Sequence, residues 1–241
     1  MKSNQTSTAA AGHPLAPLDG VLPTEMEVLR QLIKSVDARA ALEIGMARGV
    51  SSVAILTAMG ADGHLTSVDP FQLVPSGYGG AGVETVRAAG FAHRHTLMAE
   101  PDYTAMPSLL RERRRFDFIF IDGYHSFDYT MVDFFYADLL LKIGGIVAFH
   151  DSNREAVFRV CSFVAEEKPY RRLGPPLALR YDGFLKRAGR RVGYALSGRS
   201  SQFAERRQTW KSVAAFVKQG DRMASEEEGA TRYLAAERER P

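Results

Sequence analysis

Two groups of residues in this 241-residue chain have types and spacings suited to chemistry. The first is Glu43-Ile44-Gly45-Met46-Ala47-Arg48-Gly49-Val50-Ser51, followed by a second acid, Asp69. The second is Asp122-Gly123-Tyr124-His125, followed by His150-Asp151-Ser152-Asn153. If Asp122 and Asp151 converge, their like charges repel unless a cation lies between them. With water and substrate oxygens they make a hard donor set suited to Mg²⁺. A nitrogen from His150 would turn that preference toward Mn²⁺ or Fe²⁺, and Asn153 is a further candidate donor. His125 is read as a general base, because an imidazole titrating near 6.5 can take a proton at neutral pH.

These residues need elements to hold them. Apolar runs over 40–44, 65–68, 93–98, 116–121 and 146–149 alternate with helical patterns over 51–59, 83–89, 103–114, 127–141 and 154–167. That alternation predicts a parallel sheet covered on both faces. The runs Phe118-Ile119-Phe120-Ile121 and Ile146-Val147-Ala148-Phe149 are continuously apolar, as strands buried on both faces should be. Thr24 and Glu27 have the spacing of a capping box that opens an earlier helix. Gly144-Gly145 reads as the stop of the helix over 127–141. Two final strands, over 177–186 and 192–197, read as a hairpin. The expected fold is α/β, a Rossmann-like, doubly wound, mostly parallel seven-stranded sheet with a C-terminal antiparallel hairpin strand. Residues 1–20 are read as a flexible arm, 21–199 as the domain and 200–241 as a charged helical tail.

In an open parallel sheet, ligands bind beyond the carboxyl ends of the strands. The turn after Glu43 lacks both the middle glycine of a dinucleotide fingerprint and the Gly-Lys-Ser/Thr of a phosphate loop. It therefore suits a ligand without phosphates. Asp69, closing the next strand, is placed to accept from ribose hydroxyls, and Glu43 to attract a cation. A positively charged nucleoside without phosphate describes S-adenosylmethionine. Glu43-x-Gly45-x-x-x-Gly49-x-Ser51, with Asp69 and Asp122 at later strand ends, resembles the class I S-adenosylmethionine-dependent methyltransferases over roughly residues 22–198. The resemblance implies that Glu43, Gly45, Met46, Gly49, Ser51, Asp69 and Asp122 bind that cofactor, with Glu100 near the adenine.

Asp122-Gly123-Tyr124-His125 further resembles the metal-dependent small-molecule and sugar O-methyltransferases, a group close to the cephalosporin-hydroxylase-like proteins. It implies Asp122, Asp151 and His150 around Mg²⁺ or another divalent cation, Asp122 and His125 as catalytic residues, and a hydroxyl of a sugar or secondary metabolite as acceptor. His150 departs from that group's acid, and Ser152 from the asparagine of the catechol type. Two other readings use the same residues: a metal-dependent hydroxylase on this scaffold, and a non-catalytic partner protein that binds the nucleoside.

Composition narrows the field. With 31 basic and 28 acidic residues, the net charge of +3 is too balanced to indicate nucleic acid as partner. The clusters at Arg111, Arg113, Arg114 and Arg115, and at Arg187, Arg190 and Arg191, read as solvated surface; an RNA substrate would need them at the mouth of the site. No uncharged apolar run reaches the roughly 18–20 residues of a membrane span, and the N-terminus lacks a secretory apolar region, so the expected location is the cytoplasm. The single cysteine, Cys161, excludes a disulfide framework and reads as core. Trp210 is read as an anchor of the tail or a contact with a second copy in a homo-oligomer.

Overall fold

The computed structural model describes residues 21–173 and 212–221. The elements run α1 (Pro23–Ser35), β1 (Ala40–Ile44), α2 (Val50–Ala58), β2 (His64–Val68), α3 (Ala81–Ala88), β3 (His95–Met98), α4 (Asp102–Arg111), β4 (Phe116–Ile121), α5 (Phe127–Leu140), β5 (Leu141–Phe149), α6 (Glu155–Glu167), β6 (Tyr170–Arg172) and β7 (Ala214–Lys218). The seven strands form one sheet in the order β3-β2-β1-β4-β5-β7-β6. The first five are mutually parallel, and β7 lies antiparallel to both β5 and β6. The expected class is therefore correct. Among the described residues no helix is long and apolar enough to cross a membrane.

Burial alternates along the central strands. Leu42, Ile44, Ile119, Ile121, Val147 and Phe149 face one core with Met106, Phe134 and Val160. Ala41, Phe118, Phe120, Ile146 and Ala148 face the other with Leu29, Ile33 and Ile55. Helices α4, α5 and α6 cover the first face and α1, α2 and α3 the second. Cys161 is buried in the first core.

The strands end level. Ile44 pairs in register with Val68 on one side and Ile121 on the other. Ile121 pairs with Phe149, and Val68 with Met98. The next residues, Gly45, Asp69, Asp122 and His150, therefore leave the sheet along one edge. That edge includes the place where the chain order reverses between β1 and β4.

Three local expectations are corrected. Pro23, with its φ already helical, takes the first position of α1, so Leu22 is the cap; its N–H donates to Glu25 at 2.7 Å. Glu27 instead pairs with Arg30. Gly144-Gly145 lies inside β5, because α5 passes into the strand directly at Leu141. Gly145 must lack a side chain there: a Cβ would lie 2.9 Å from the Asp117 carbonyl oxygen. Residues 214–218, expected as part of a helical tail, form β7, since Ala214, Ala215 and Phe216 are buried beside β5. The expected hairpin over 177–197, the arm over 1–20, the second arginine cluster and Trp210 lie outside the described residues.

Phe216 is fully buried against Phe149, with ring centroids 6.0 Å apart. Phe216→Ala should cost about 3–5 kcal/mol in urea denaturation, where a residue on a solvated tail would cost close to nothing.

Candidate active site

The turn between β1 and α2 depends on residues that tolerate left-handed backbone. Gly45 has φ of 84° and Gly49 of 78°. A Cβ on Gly45 would lie 2.2 Å from the Asp122 carbonyl oxygen, and one on Gly49 2.5 Å from that of Gly82. The first contact presses the turn against the end of β4; the second presses it against the start of α3. Ala47, between them, also has positive φ, 45°.

Asp69 holds this turn. Its Oδ2 accepts from the amides of Met46 (3.2 Å) and Ala47 (2.9 Å), and its Oδ1 from the amide of Phe71 (2.9 Å). Gln72, which sequence reasoning missed, donates from Nε2 to Asp69 (3.1 Å) and to the Ala47 carbonyl (2.6 Å). Its Oε1 accepts from Gly82 at 3.2 Å. The glycine-rich segment before α3 is thus tied to the first turn. A glutamine three residues after the acid was the available signal.

Glu43 is buried at the end of β1, where its Oε2 accepts from Ser52 (2.5 Å) and Ser67 (2.8 Å). Its Oε1 is buried with no hydrogen-bond partner among the described residues. Burial pushes the carboxyl up to about 7 against the opposing serine hydrogen bonds. Met46 and Ser51 are buried beside it in the same turn and helix. Glu100 lies half-buried, two residues beyond β3.

Across the reversal point, the backbone carries the second group out of the sheet. The Asp122 amide donates to the Ile44 carbonyl at 2.8 Å, and the His150 amide to that of Ile121 at 2.9 Å. Asp122 Oδ1 meets His150 Nδ1 at 2.8 Å and lies 3.2 Å from His125 Nε2. Asp151 stands on the rim, its Oδ2 3.6 Å from His125 Nε2 and 2.6 Å from Arg154 Nε. Its φ is 49°, a strained value for a non-glycine residue. His125 Nε2 is buried and makes no hydrogen bond among the described residues. Asp122, His125 and His150 each bring one ligand atom within 4.8 Å of the others.

His150 is gripped from both sides. Its Nε2 lies 3.2 Å from Oε2 of Glu25, a residue of α1 that the sequence did not single out. Burial works against a charged imidazole here, but the bonds to Asp122 and Glu25 outweigh it and push His150 up to about 10. Despite burial, His125 and His150 hold Asp122 below the usual carboxylate range, and His150, Ser212 and the Leu22 amide do the same for Glu25. Behind the Asp122–His125 loop, Asp133 is buried with neither oxygen hydrogen-bonded among the described residues. Burial, with Asp102 alongside, pushes it well up. In front of the loop, exposed Tyr124 stands edge-on to Tyr129, with centroids 5.5 Å apart, and Tyr129 lies 6.5 Å from Tyr103.

Comparison with known proteins bears on this geometry. Residues 42–152 match the family described as a methyltransferase domain. The chain is 32% identical over 136 residues to the tapetum-specific methyltransferase 1 of Arabidopsis thaliana, covering 55% of each chain. It is 24% identical over 151 residues to the caffeoyl-CoA O-methyltransferase of Stellaria longipes, covering 60% of this chain and 58% of that one. The chain thus spans about half the length of the curated relatives it matches. Its fold matches an O-methyltransferase from Bacillus cereus solved with S-adenosylhomocysteine, at a TM-score of 0.62, 17% identity and 84% coverage of both chains. It also matches the O-methyltransferase TomG of Streptomyces achromogenes, solved with S-adenosylmethionine, at a TM-score of 0.54, 20% identity and coverage of 83% and 82%. The resemblance to methyltransferases is thus supported over residues 42–152, and the fold is the one these two solved structures share.

Glu43 has a consequence for stability. A carboxyl raised from about 4.5 to about 7 by folding binds more protons in the folded state between those values. Its contribution is therefore complete below pH 4.5 and is lost as pH rises toward and through 7. In thermal melts from pH 5 to 8, Glu43→Gln should flatten the decline that the parent chain shows.

Proposed function

We propose that this chain transfers the methyl group of S-adenosylmethionine to a hydroxyl of a small molecule. The observation that carries the reading is the contact of Gly45 with the Asp122 carbonyl: the turn suited to the methyl donor and the acid–histidine group share one edge. A bound nucleoside would sit over the Gly45–Gly49 turn that Asp69 holds in shape. Glu43, fully buried at the end of β1, braces the site from beneath through Ser52 of α2 and Ser67 of β2. Asp69 supports the site through the backbone of Met46 and Ala47 as well as through its expected place at the ribose.

Methyl transfer from a sulfonium is an in-line displacement. The acceptor oxygen forms a bond to the methyl carbon as the carbon–sulfur bond breaks, and S-adenosylhomocysteine leaves. The hydroxyl proton must go elsewhere. His125 supports the role of base: its Nε2 makes no hydrogen bond among the described residues, and Asp122 at 3.2 Å and Asp151 at 3.6 Å would stabilise the charge it would gain. Such a base is worth about 10²–10⁴-fold, and positioning supplies most of the remainder. Tyr124, next to His125 in the chain, forms an exposed aromatic patch with the tilted rings of Tyr129 and Tyr103, which suits an acceptor with an aromatic or apolar part.

The donor set also fits a divalent cation, through carboxylate oxygen and imidazole nitrogen within one small space. Asp122 would hold it, with His150 once its Nδ1 gives up the proton it shares with Asp122, and with Asp151 at the rim; when bound it lowers the pKa of an acceptor hydroxyl by several units.

Isothermal titration with S-adenosylhomocysteine tests the first half. The parent chain should bind, and Asp69→Ala should weaken binding at least tenfold by releasing the turn; no heat with the parent chain contradicts the reading. Excess chelator should abolish methyl transfer, and full turnover in its presence would remove the cation while leaving the transferase.

A further inference from the structure

The reaction edge is built from β1, β4 and β5, yet one of its side-chain contacts reaches a helix at the far end of the sequence. Glu25 lies 125 residues from His150 and is only 3% exposed. Three separate segments meet on its carboxyl group. The Leu22 amide donates to it at 2.7 Å, fixing it to the first turn of α1. His150 Nε2 lies 3.2 Å away at the end of β5. The Ser212 side chain bonds it from the entry to β7, and the Ser212 carbonyl in turn accepts from the Ser152 amide at 3.0 Å.

A buried carboxylate costs free energy unless it is paired and hydrogen-bonded. What this carboxylate does is fix a ring. An imidazole bonded at one nitrogen can still pivot about that bond; bonded at both, it cannot. With Nε2 held by Glu25, Nδ1 of His150 is aimed at Asp122 Oδ1, 2.8 Å away. Asp122 in turn faces His125 Nε2. The chain of contacts runs Glu25, His150, Asp122, His125, from the interior to the rim.

We infer that Glu25 is a positioning residue: it orients His150, and through it Asp122, for the chemistry at the reaction edge. The inference rests on the methyl-transfer reading above. Histidines that serve at metal or proton-transfer sites commonly have the second ring nitrogen held by a carboxylate, and loss of that partner typically costs 10–100-fold in metal affinity or activity. Glu25 occupies that place for His150. It lies on none of the strand ends where the ligand-bearing residues of such a sheet are sought, which is why the strand pattern does not reveal it.

The test compares the full chain with Glu25→Gln, which keeps the shape of the side chain and removes its charge. Three measurements are made on each protein: the ring N–H resonances of His150, assigned by their loss in His150→Gln; Mn²⁺ affinity, from the electron paramagnetic resonance of the free ion; and S-adenosylhomocysteine affinity. Glu25→Gln is expected to shift the His150 Nε2–H resonance upfield, because a charge-assisted hydrogen bond becomes a neutral one. It is also expected to weaken Mn²⁺ about 10–100-fold while S-adenosylhomocysteine affinity stays within about twofold. His150 resonances and Mn²⁺ affinity both unchanged from the parent would overturn the inference. Failure of the parent chain to bind S-adenosylhomocysteine would overturn the methyl-transfer reading instead. If the parent binds that nucleoside but not Mn²⁺, the His150 resonances alone decide.

Discussion

One hydrogen bond, from the amide of Asp122 to the carbonyl of Ile44, joins the two halves of the reaction edge. It extends the β1–β4 ladder one residue beyond the paired strands and so fixes where the Asp122 carbonyl stands. Gly45 then packs on that carbonyl so closely that any side chain would collide with it. The first turn and the acid–histidine group are consequently set by the same register. A one-residue slip of β4 would reverse the faces of Phe118, Ile119, Phe120 and Ile121 and bury Asp122 or expel it. Both cores thus enforce the geometry of the site.

Electrostatics on this edge follow from burial and pairing. Glu43 sits deep, bonded only by hydroxyls, and is driven toward neutrality. Asp122 and Glu25 are also buried, but His150 between them keeps both ionised. Two acids on one edge thus behave in opposite ways because one has serine partners and the other an imidazole. Asp133 shows the third outcome: burial, with another acid for a neighbour, pushes its carboxyl well above the usual range. The acids of this edge are therefore displaced in opposite directions, Glu43 up and Asp122 down, and His125 Nε2, without a hydrogen bond among the described residues, lies beside Asp122.

Much of this was legible in the chain. Strands β4 and β5 announced themselves because strands covered on both faces must be apolar, the other three parallel strands followed from the alternation with helices, and the acids and histidines stood at the strand ends. What escaped has physical reasons. Glu25 is an ordinary helix-start acid by its neighbours; only the docking of α1 against the end of β5 gives it a second role. Asp69 read as a ligand group, and its bonds to Met46 and Ala47 were invisible because backbone amides leave no mark in sequence. Gly144-Gly145 looked like a helix stop, yet the close approach of β4, with the Asp117 carbonyl against Gly145, requires glycine inside the strand. The segment 214–218 was masked by charged neighbours; its alanines and Phe216 matter only once β5 presents an edge to cover.

The account is tested most directly by amide chemical shifts as S-adenosylhomocysteine is added to isotopically labelled protein. The account predicts saturable shifts concentrated at Gly45–Gly49 and at Asp122–His125, the two stretches that share the Ile44 seam, with little change at β6 and β7. Saturable shifts elsewhere that leave Gly45, Gly49 and Asp122 unmoved would contradict it.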